Sequence, residues 1–203
     1  GGGYKLFGET PTNDHRKQMG TLLETPNFYH YLTAVQNLKI AAAIKGRGLD
    51  DIERVLEIVN LSNRKNSKFS TYSLGMKQRL AIGAALLGNP DVLVFDEPTN
   101  GLDIPSKKRF RKLIASVMNE ERMILVSTHQ IRDLDNLIDH VIIVDNGELL
   151  INASLTVIAE KLCFKTFDDE LPDTPILYEE ESLKGKAVVI ENTIHEDSRI
   201  NLE

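Results

Sequence analysis

The sequence lacks several features that would place it in a specialised class of protein. It has one cysteine, Cys163, so an internal disulfide bond is excluded and nothing favours an oxidising compartment. No apolar run approaches the roughly 18 residues that a membrane-spanning helix needs, and no basic-then-apolar leader opens the chain. The net charge of −6 on 203 residues leaves no basic excess for a nucleic-acid surface. We therefore predict a cytosolic globular protein without a nucleic-acid partner.

The negative charge is concentrated at the C-terminal end of the chain. Residues 164–203 contain 11 acidic and 4 basic side chains, whereas residues 1–163 contain 19 and 20. A boundary near Cys163, between a main domain and an acidic extension, explains this break. A solvated acidic surface on one continuous domain explains it equally well. Within the extension, residues 176–178 and 187–190 have a strand-like pattern, and no residue there suggests chemistry.

Short apolar runs and helical stripes alternate through the main part of the chain. Residues 92–95 and 123–126 are unbroken apolar runs, typical of strands that are covered on both faces. Residues 106–119 and 131–138 carry helical stripes. This alternation predicts an α/β fold with a mostly parallel sheet between helices.

Three further segments complete the predicted organisation. Residues 4–7 resemble a short strand closed by a glycine, and the Asn146-Gly147 pair predicts a β-hairpin. The long helical pattern between residues 34 and 90, interrupted at Gly46-Arg47-Gly48, predicts an all-helical insertion into the α/β fold.

Polar residues follow the two predicted buried strands. Asp96 and Glu97 end the first strand, and Ser127-Thr128-His129 end the second. Ligands bind at the carboxyl ends of strands in open parallel sheets, and a carboxylate pair there suits a magnesium ion and a polarised water. Taken singly, each group also fits a plain structural role, as a helix cap or as a loop with a hydrogen-bonded histidine.

A serine–glycine turn precedes another predicted helix. Ser73 and Gly75 stand immediately before an apolar helical stripe. The free N–H groups at such a helix start can bind an anion. A simple serine N-cap explains the turn equally well when the turn is considered by itself.

Over roughly residues 1–163, these motifs resemble the nucleotide-binding subunit of ATP-binding cassette (ABC) transporters. Residues 72–79, Tyr-Ser-Leu-Gly-Met-Lys-Gln-Arg, resemble a variant of the family's signature motif, and residues 92–96 resemble its Walker B strand. Glu97 stands at the catalytic glutamate position, residues 98–103 match the following turn and D-loop, and His129 matches the switch histidine. Four motifs in the family's order make a chance match improbable.

The resemblance implies a P-loop NTPase (RecA-like) core built from residues 1–33 and 91–163. It further implies a helical signature subdomain at residues 34–90 and an extension at residues 164–203. The implied cofactors are ATP and Mg²⁺, handled by two subunits packed head to tail, as a homodimer or a heterodimer. The site residues that it implies are Glu97 and His129 for catalysis, Asp96 and Glu24 for the metal, and Ser73, Gly75, Met76 and Asp103 for nucleotide contact.

Departures from the usual motifs narrow the resemblance. The signature reads Tyr-Ser-Leu-Gly-Met where most members have Leu-Ser-Gly-Gly-Gln, and Glu24 stands where most members have glutamine. Both features resemble the branch associated with bacitracin and lantibiotic export. The family then implies a membrane-spanning partner subunit, with Tyr29 and Tyr31 in its docking groove. That partner would hold the chain at the inner face of the cell membrane.

One family motif is missing from the sequence. No segment fits the phosphate-binding pattern Gly-x-x-x-x-Gly-Lys-Ser/Thr, and the single Gly-Lys pair, Gly185-Lys186, is followed by alanine. In the family this P-loop precedes the strand that residues 4–7 resemble, so we expect a fragment that is inactive alone. Two alternatives stay open: a non-catalytic module that presents its signature face to a nucleotide-loaded subunit, and a soluble ABC-type ATPase that is not linked to transport.

Overall fold

The computed structural model describes residues 3–134, 136–167, 174–182 and 185–192, and the chain divides into two compact units, Gly1–Asp133 and Leu134–Glu203. The first unit contains a parallel sheet of three strands: β1 (Met19–Leu22), β2 (Val92–Asp96) and β3 (Met123–Ser127), in the order β1-β2-β3. Leu22 pairs with Phe95, and Asp96 pairs with Ser127. The carboxyl ends of the three strands therefore meet at one edge, and the predicted α/β class with a parallel sheet is confirmed.

Helices fill the connections between these strands. A short helix, α1 (Asn13–Lys17), precedes β1, and the connection from β2 to β3 contains α5 (Ile104–Val117). The connection from β1 to β2 contains three helices, α2 (Ala34–Lys45), α3 (Ile52–Ile58) and α4 (Leu74–Leu86), with short 3-10 turns at Ser62–Arg64 and Phe69–Thr71. The predicted all-helical insertion and its break at Gly46-Arg47-Gly48 are confirmed. A capping box at Thr33 starts α2, and Gly46 ends it with a φ of +71°.

The core of the first unit lies on one side of β2. Leu93 and Phe95 are completely buried, as is Leu80 of α4, and Phe110 of α5 is nearly so. On β3, by contrast, Met123 and Leu125 are about half exposed. The prediction that both apolar runs are covered on both faces is therefore wrong for the described residues. An unbroken apolar run does not by itself distinguish burial on one face from burial on two.

Lys45, the last residue of α2, connects that helix to the end of α4 by hydrogen bonds. Its ammonium donates hydrogen bonds of 2.9 Å to the carbonyl oxygens of both Ala84 and Ala85. These carbonyls belong to the last turn of α4, where no intrahelical donor is available. Burial of the side chain, with a smaller contribution from Arg47, lowers the pKa of Lys45 to about 8.

Two predicted elements differ from the structure. Residues 4–7 do not form a strand, because Phe7 and Gly8 have φ values of +53° and +81° and close a tight turn between Leu6 and Glu9. Of the helix predicted over 131–138, the described residues form only a 3-10 turn, Ile131–Leu134. Asn136 has a φ of +62°, a left-handed conformation that cannot continue a helix.

The second unit is built mainly from antiparallel strands. β4 (His140–Asp145) and β5 (Glu148–Ser154) form the predicted hairpin, in which Asn146 and Gly147 both have positive φ. After α6 (Leu155–Lys161), a second sheet has the order β6-β8-β7. Its strands are β6 (Leu162–Phe167), β7 (Ile176–Ser182) and β8 (Gly185–Glu191).

The strands predicted at 176–178 and 187–190 are thus confirmed. Cys163, the predicted domain boundary, lies within β6 and packs with Val188 and Ile190; the division there stays a prediction. Among the helices of the described residues, none is long and apolar enough to cross a membrane.

Close packing between β1 and α4 requires glycine at position 20. A Cβ atom there would overlap the carbonyl oxygen of Ala85 and lie 2.5 Å from a methyl carbon of Leu93. We expect Gly20→Ala to lower the free energy of unfolding by about 1–3 kcal/mol, measured by urea denaturation. The matched control is Gly3→Ala, since no atom lies within 4 Å of a Cβ at that position. Equal stability of the two variants would contradict the proposed packing constraint.

Candidate functional site

Asp96 is the last residue of β2 and faces solvent at the carboxyl edge of the parallel sheet. Its Oδ1 accepts a hydrogen bond of 2.6 Å from the hydroxyl of Ser127, its register partner on β3. The alternation of β2 buries Phe95 and therefore turns Asp96 outward. The carboxylate is thus oriented by the neighbouring strand and open to a ligand.

Glu97 begins the turn after β2 in a left-handed conformation, with a φ of +43°. Its backbone N–H donates to the carbonyl of Ser127 at 3.0 Å, and Asn100 N–H donates back to the Glu97 carbonyl at 3.2 Å. A non-glycine residue in this region costs on the order of 1–3 kcal/mol, so these surrounding bonds hold it there. The conformation directs the Glu97 side chain towards the end of β3.

At the end of β3, His129 binds Glu97 through two groups. Oε1 of Glu97 accepts from the backbone N–H of His129 at 3.0 Å and lies 2.8 Å from Nδ1 of its ring. Oε2 has a longer contact, 3.4 Å, with the hydroxyl of Thr128. Asp96, Glu97 and His129 therefore come together at one edge of the sheet, as the strand-end positions predicted.

Glu24 follows β1 at the same edge and is exposed. Its Oε1 accepts a hydrogen bond from the side-chain amide of Asn100, in the turn after β2. In the part of the chain that the structure describes, no three or more His, Cys, Asp or Glu side chains group closely enough to hold a metal. Mg²⁺ usually takes one or two carboxylates together with water and phosphate oxygens. The oxygen donors Asp96 and Glu24 fit that chemistry.

The serine–glycine turn lies at the surface, at the start of α4. Ser73 is the N-cap, and its Oγ accepts from the backbone N–H of Met76 at 3.3 Å, which leaves the hydroxyl proton free to donate. Tyr72, immediately before it, is 5% exposed and donates to the carbonyl of Arg64 at 2.8 Å. Its burial also raises the pKa of the Tyr72 hydroxyl. The turn is therefore exposed, and the buried Tyr72 that precedes it fixes its position.

Asp103 and Gly75 lie side by side, with Ser106 between them. Asp103 is the N-cap of α5 and accepts from the backbone N–H of Ser106 at 2.9 Å. Hydrogen bonding by the Ser106 side chain and backbone lowers the pKa of Asp103. A Cβ on Gly75 would lie 2.7 Å from the Ser106 hydroxyl oxygen. Four predicted nucleotide-contact residues, Ser73, Gly75, Met76 and Asp103, thus form a second cluster.

The two clusters are connected through Gln78 of α4. Its side-chain amide, which is 4% exposed, donates to the carbonyl of Pro98 at 2.9 Å, next to Glu97. In the described part of the chain, no hydrogen bond or ion pair joins Ser73 directly to Asp96, Glu97 or His129. The side chains that could contact a nucleotide therefore form two separate half-sites.

Several polar residues near the site were not predicted from the sequence. Asp133 accepts from the hydroxyl of Thr99 at 2.8 Å and pairs with Lys107 at 2.7 Å, and Lys107 also donates to the side chain of Gln130. Gln78 is the one that could have been identified in advance, because it is a polar residue at a buried position of α4. The other residues are ordinary polar side chains of a loop or helix, and only the fold brings them together.

Comparisons with known proteins agree with this arrangement. Residues 4–100 match the family described as ABC transporter. The chain is 42% identical over 154 residues to the bacitracin transport ATP-binding protein BcrA of Bacillus licheniformis, covering 73% of this chain and 50% of that protein. It is 33% identical over 135 residues to the lantibiotic transport ATP-binding protein SrtF of Streptococcus pyogenes, covering 66% and 59%.

A solved structure is similar as well. It is the structure of an ATP binding subunit of an ABC transporter, and it matches with a TM-score of 0.60 and 32% identity over 71% of this chain and 62% of that one. This likeness confirms the predicted P-loop NTPase type of core. The chain spans about half the length of the curated relatives it matches.

The contact between Gly75 and Ser106 can be tested by second-site rescue. We expect Gly75→Ala to displace the Ser106 hydroxyl from Asp103, and Ser106→Ala to remove the overlap. In a double-mutant cycle on the free energy of unfolding, the two substitutions should show a favourable coupling of about 0.5–1.5 kcal/mol. Additive effects would contradict the contact.

Proposed function

The chain belongs to the ABC transporter family of ATP-binding proteins, and we propose that it provides the ATP-hydrolysing machinery of an export-type transporter. The observation that carries this proposal is the Glu97 carboxylate, held by His129 beside Asp96 at the carboxyl edge of the parallel sheet. The relatives named for bacitracin and lantibiotic transport support export as the direction.

Glu97 is positioned to accept a proton from an attacking water. Two N–H groups occupy its Oε1, whereas Oε2 has, among the described residues, only the long contact with Thr128 and is available as a base. Mg²⁺, held by Asp96 and Glu24, would neutralise charge on a triphosphate. His129 stands next to Glu97, where its ring would contact the terminal phosphate.

The signature half-site requires a second ATPase subunit. α4 presents its N-terminus at the surface, where the Ser73 hydroxyl and the backbone N–H of Gly75 would bind a phosphate held by the other chain. Asp103 lies beside this turn and would face the same interface. Because the two half-sites are separate within one chain, we propose that two subunits pack head to tail, as a homodimer or a heterodimer.

A membrane-spanning subunit is the second partner of the proposed assembly. Tyr29 and Tyr31 are 51% and 68% exposed, and the centroids of their rings lie 5.9 Å apart. A cleft of ≈ 410 Å³ is lined by Phe28, which precedes Tyr29 in the chain, and by residues that include Leu23 and Ile44. Exposed aromatic rings beside an apolar cleft suit a docked helix. Through this contact the chain would sit at the inner face of the cell membrane.

The role of Glu97 can be tested by measuring ATP turnover. The 203 residues contain no P-loop pattern, so we expect no turnover from this chain alone. We expect turnover when an N-terminal segment that contains the P-loop pattern is joined to it. In that chimera Glu97→Gln should lower kcat by about 100-fold or more while ATP binding is retained. Glu120→Gln, at an exposed loop position, is the control.

The same measurement separates the main proposal from its strongest alternative, a non-catalytic module that presents its signature face to a nucleotide-loaded subunit. The missing P-loop pattern favours that alternative. An inactive chimera that still binds ATP would support the module. Turnover by the unmodified chain would contradict both the module and the expectation that the chain is inactive alone.

Glu24 provides a second, independent test at the proposed metal site. A carboxylate in place of the family's usual amide adds negative charge beside the metal, which favours the cation and opposes the phosphate. In the chimera we expect Glu24→Gln to raise the Mg²⁺ concentration for half-maximal turnover several-fold, with a smaller effect on ATP affinity. Superimposable magnesium titrations of the two forms would refute the role.

A further inference from the structure

The second ring nitrogen of His129 is also occupied by the protein. Nε2 lies 3.1 Å from the side-chain nitrogen of Gln130, and the oxygen of the same amide accepts a hydrogen bond from Lys107. Although the His129 side chain is 63% exposed, both of its nitrogens therefore have protein neighbours. Glu97 lies on one side of the ring and the Gln130–Lys107 pair lies on the other.

Lys107 fixes which end of the Gln130 amide faces the ring. A lysine ammonium can only donate hydrogen bonds, so the amide atom next to it must be the oxygen. The NH₂ group, which can only donate, is then the end that faces His129. Donor and acceptor chemistry therefore determines the orientation of the Gln130 amide.

The orientation of Gln130 determines where the imidazole carries its proton. Since the amide NH₂ donates to Nε2, that nitrogen must present a lone pair. On the other side, the Glu97 carboxylate accepts from Nδ1 at 2.8 Å, so Nδ1 must carry the hydrogen. Both neighbours select the same neutral form, and an imidazolium would set an N–H group against the NH₂ of Gln130.

We propose that Gln130 and Lys107 are positioning residues that hold the switch histidine, His129, as its neutral Nδ1–H tautomer. Lys107 is itself held by Asp133 at 2.7 Å, and their side chains are 21% and 15% exposed. Among the described charged side chains, Glu97 contacts the ring, and Asp133 contacts Lys107 and Thr99.

This tautomer has a consequence that rests on the proposed function. Nε2 without a hydrogen cannot donate to a phosphate oxygen. For His129 to contact a terminal phosphate through Nε2, the Gln130 amide must leave and the ring must gain a proton there. The Gln130–Lys107 pair would then keep the switch histidine in a resting state until the nucleotide arrives.

The tautomer can be read directly by NMR of the full 203-residue chain. With ¹⁵N-labelled histidine at about pH 9, where an ordinary histidine is neutral, long-range ¹H–¹⁵N correlations distinguish a protonated Nδ1 from a protonated Nε2. We expect His129 to carry its proton on Nδ1. Gln130→Glu replaces the donor with an acceptor of nearly the same shape, so a protonated Nε2 should appear.

Two further variants separate a positioning role from a merely structural one. Lys107→Met should free the Gln130 amide to rotate and yield a mixture of tautomers, whereas Lys107→Arg, which keeps the donor, should restore Nδ1–H. Gln36→Glu, the same chemical change in the capping box of α2, should leave the His129 signals unchanged. Backbone ¹H–¹⁵N spectra check that each variant is folded.

The NMR measurement tests the proposed His129 tautomer in the absence of nucleotide. A wild-type ring that is protonated on Nε2 would overturn the proposal, as would a tautomer that is unaffected by Gln130→Glu. If Lys107→Met does not fold, Gln130→Glu, at a partly exposed position, still tests the proposal. Since the measurement does not involve ATP, its failure leaves the proposed ATPase function standing, and the turnover measurement can fail without affecting the tautomer.

Discussion

The turn that follows β2 is the constraint on which the rest of the site depends. Glu97 occupies a left-handed conformation that an isolated chain would avoid, and backbone bonds to Ser127 and Asn100 hold it there. The next residues of the turn are fixed from other directions, Pro98 by Gln78 and Thr99 by Asp133. Helix α4, strand β3 and the loop after β3 thus all converge on four residues. A carboxylate held in this way has lost its freedom before any ligand binds, which favours catalysis by positioning.

The same turn joins two half-sites that do not meet within one chain. Gln78 connects it to the helix that begins at Ser73, and α5 begins at Asp103 beside that helix. A displacement of Glu97 and Pro98 would therefore be transmitted to the signature turn through a buried hydrogen bond and a close glycine contact. In the proposed dimer, the turn after β2 of one subunit would then be coupled to the nucleotides at both ATP sites. Phosphoryl transfer depends mainly on positioning and charge stabilisation, so shared sites of this kind are chemically sufficient.

Polar side chains around the site form a chain of donors and acceptors rather than isolated pairs. Successive polar contacts join six residues, and the donor or acceptor role of each is determined by its neighbour. In order along these contacts they are Thr99, Asp133, Lys107, Gln130, His129 and Glu97. In such a chain, the charge on one member sets the proton position on another. The sequence places these residues on three segments, and only the parallel register of β2 and β3 aligns them.

The sequence by itself determined the α/β class, the helical insertion, the hairpin at Asn146-Gly147 and the strand-end positions of Asp96, Glu97 and His129. These features depend on local periodicity, on turn chemistry and on residue order, all of which are written along the chain. The strand predicted at residues 4–7 and the helix predicted over 131–138 do not form as predicted, because positive φ values at Phe7 and Asn136 are incompatible with a regular strand or helix there. Only the tertiary structure decided that Glu24 meets Asn100, that Gln78 reaches Pro98 and that Lys107 orients Gln130. Those contacts join residues that are far apart in sequence, and their geometry exists only after the strands and helices have packed.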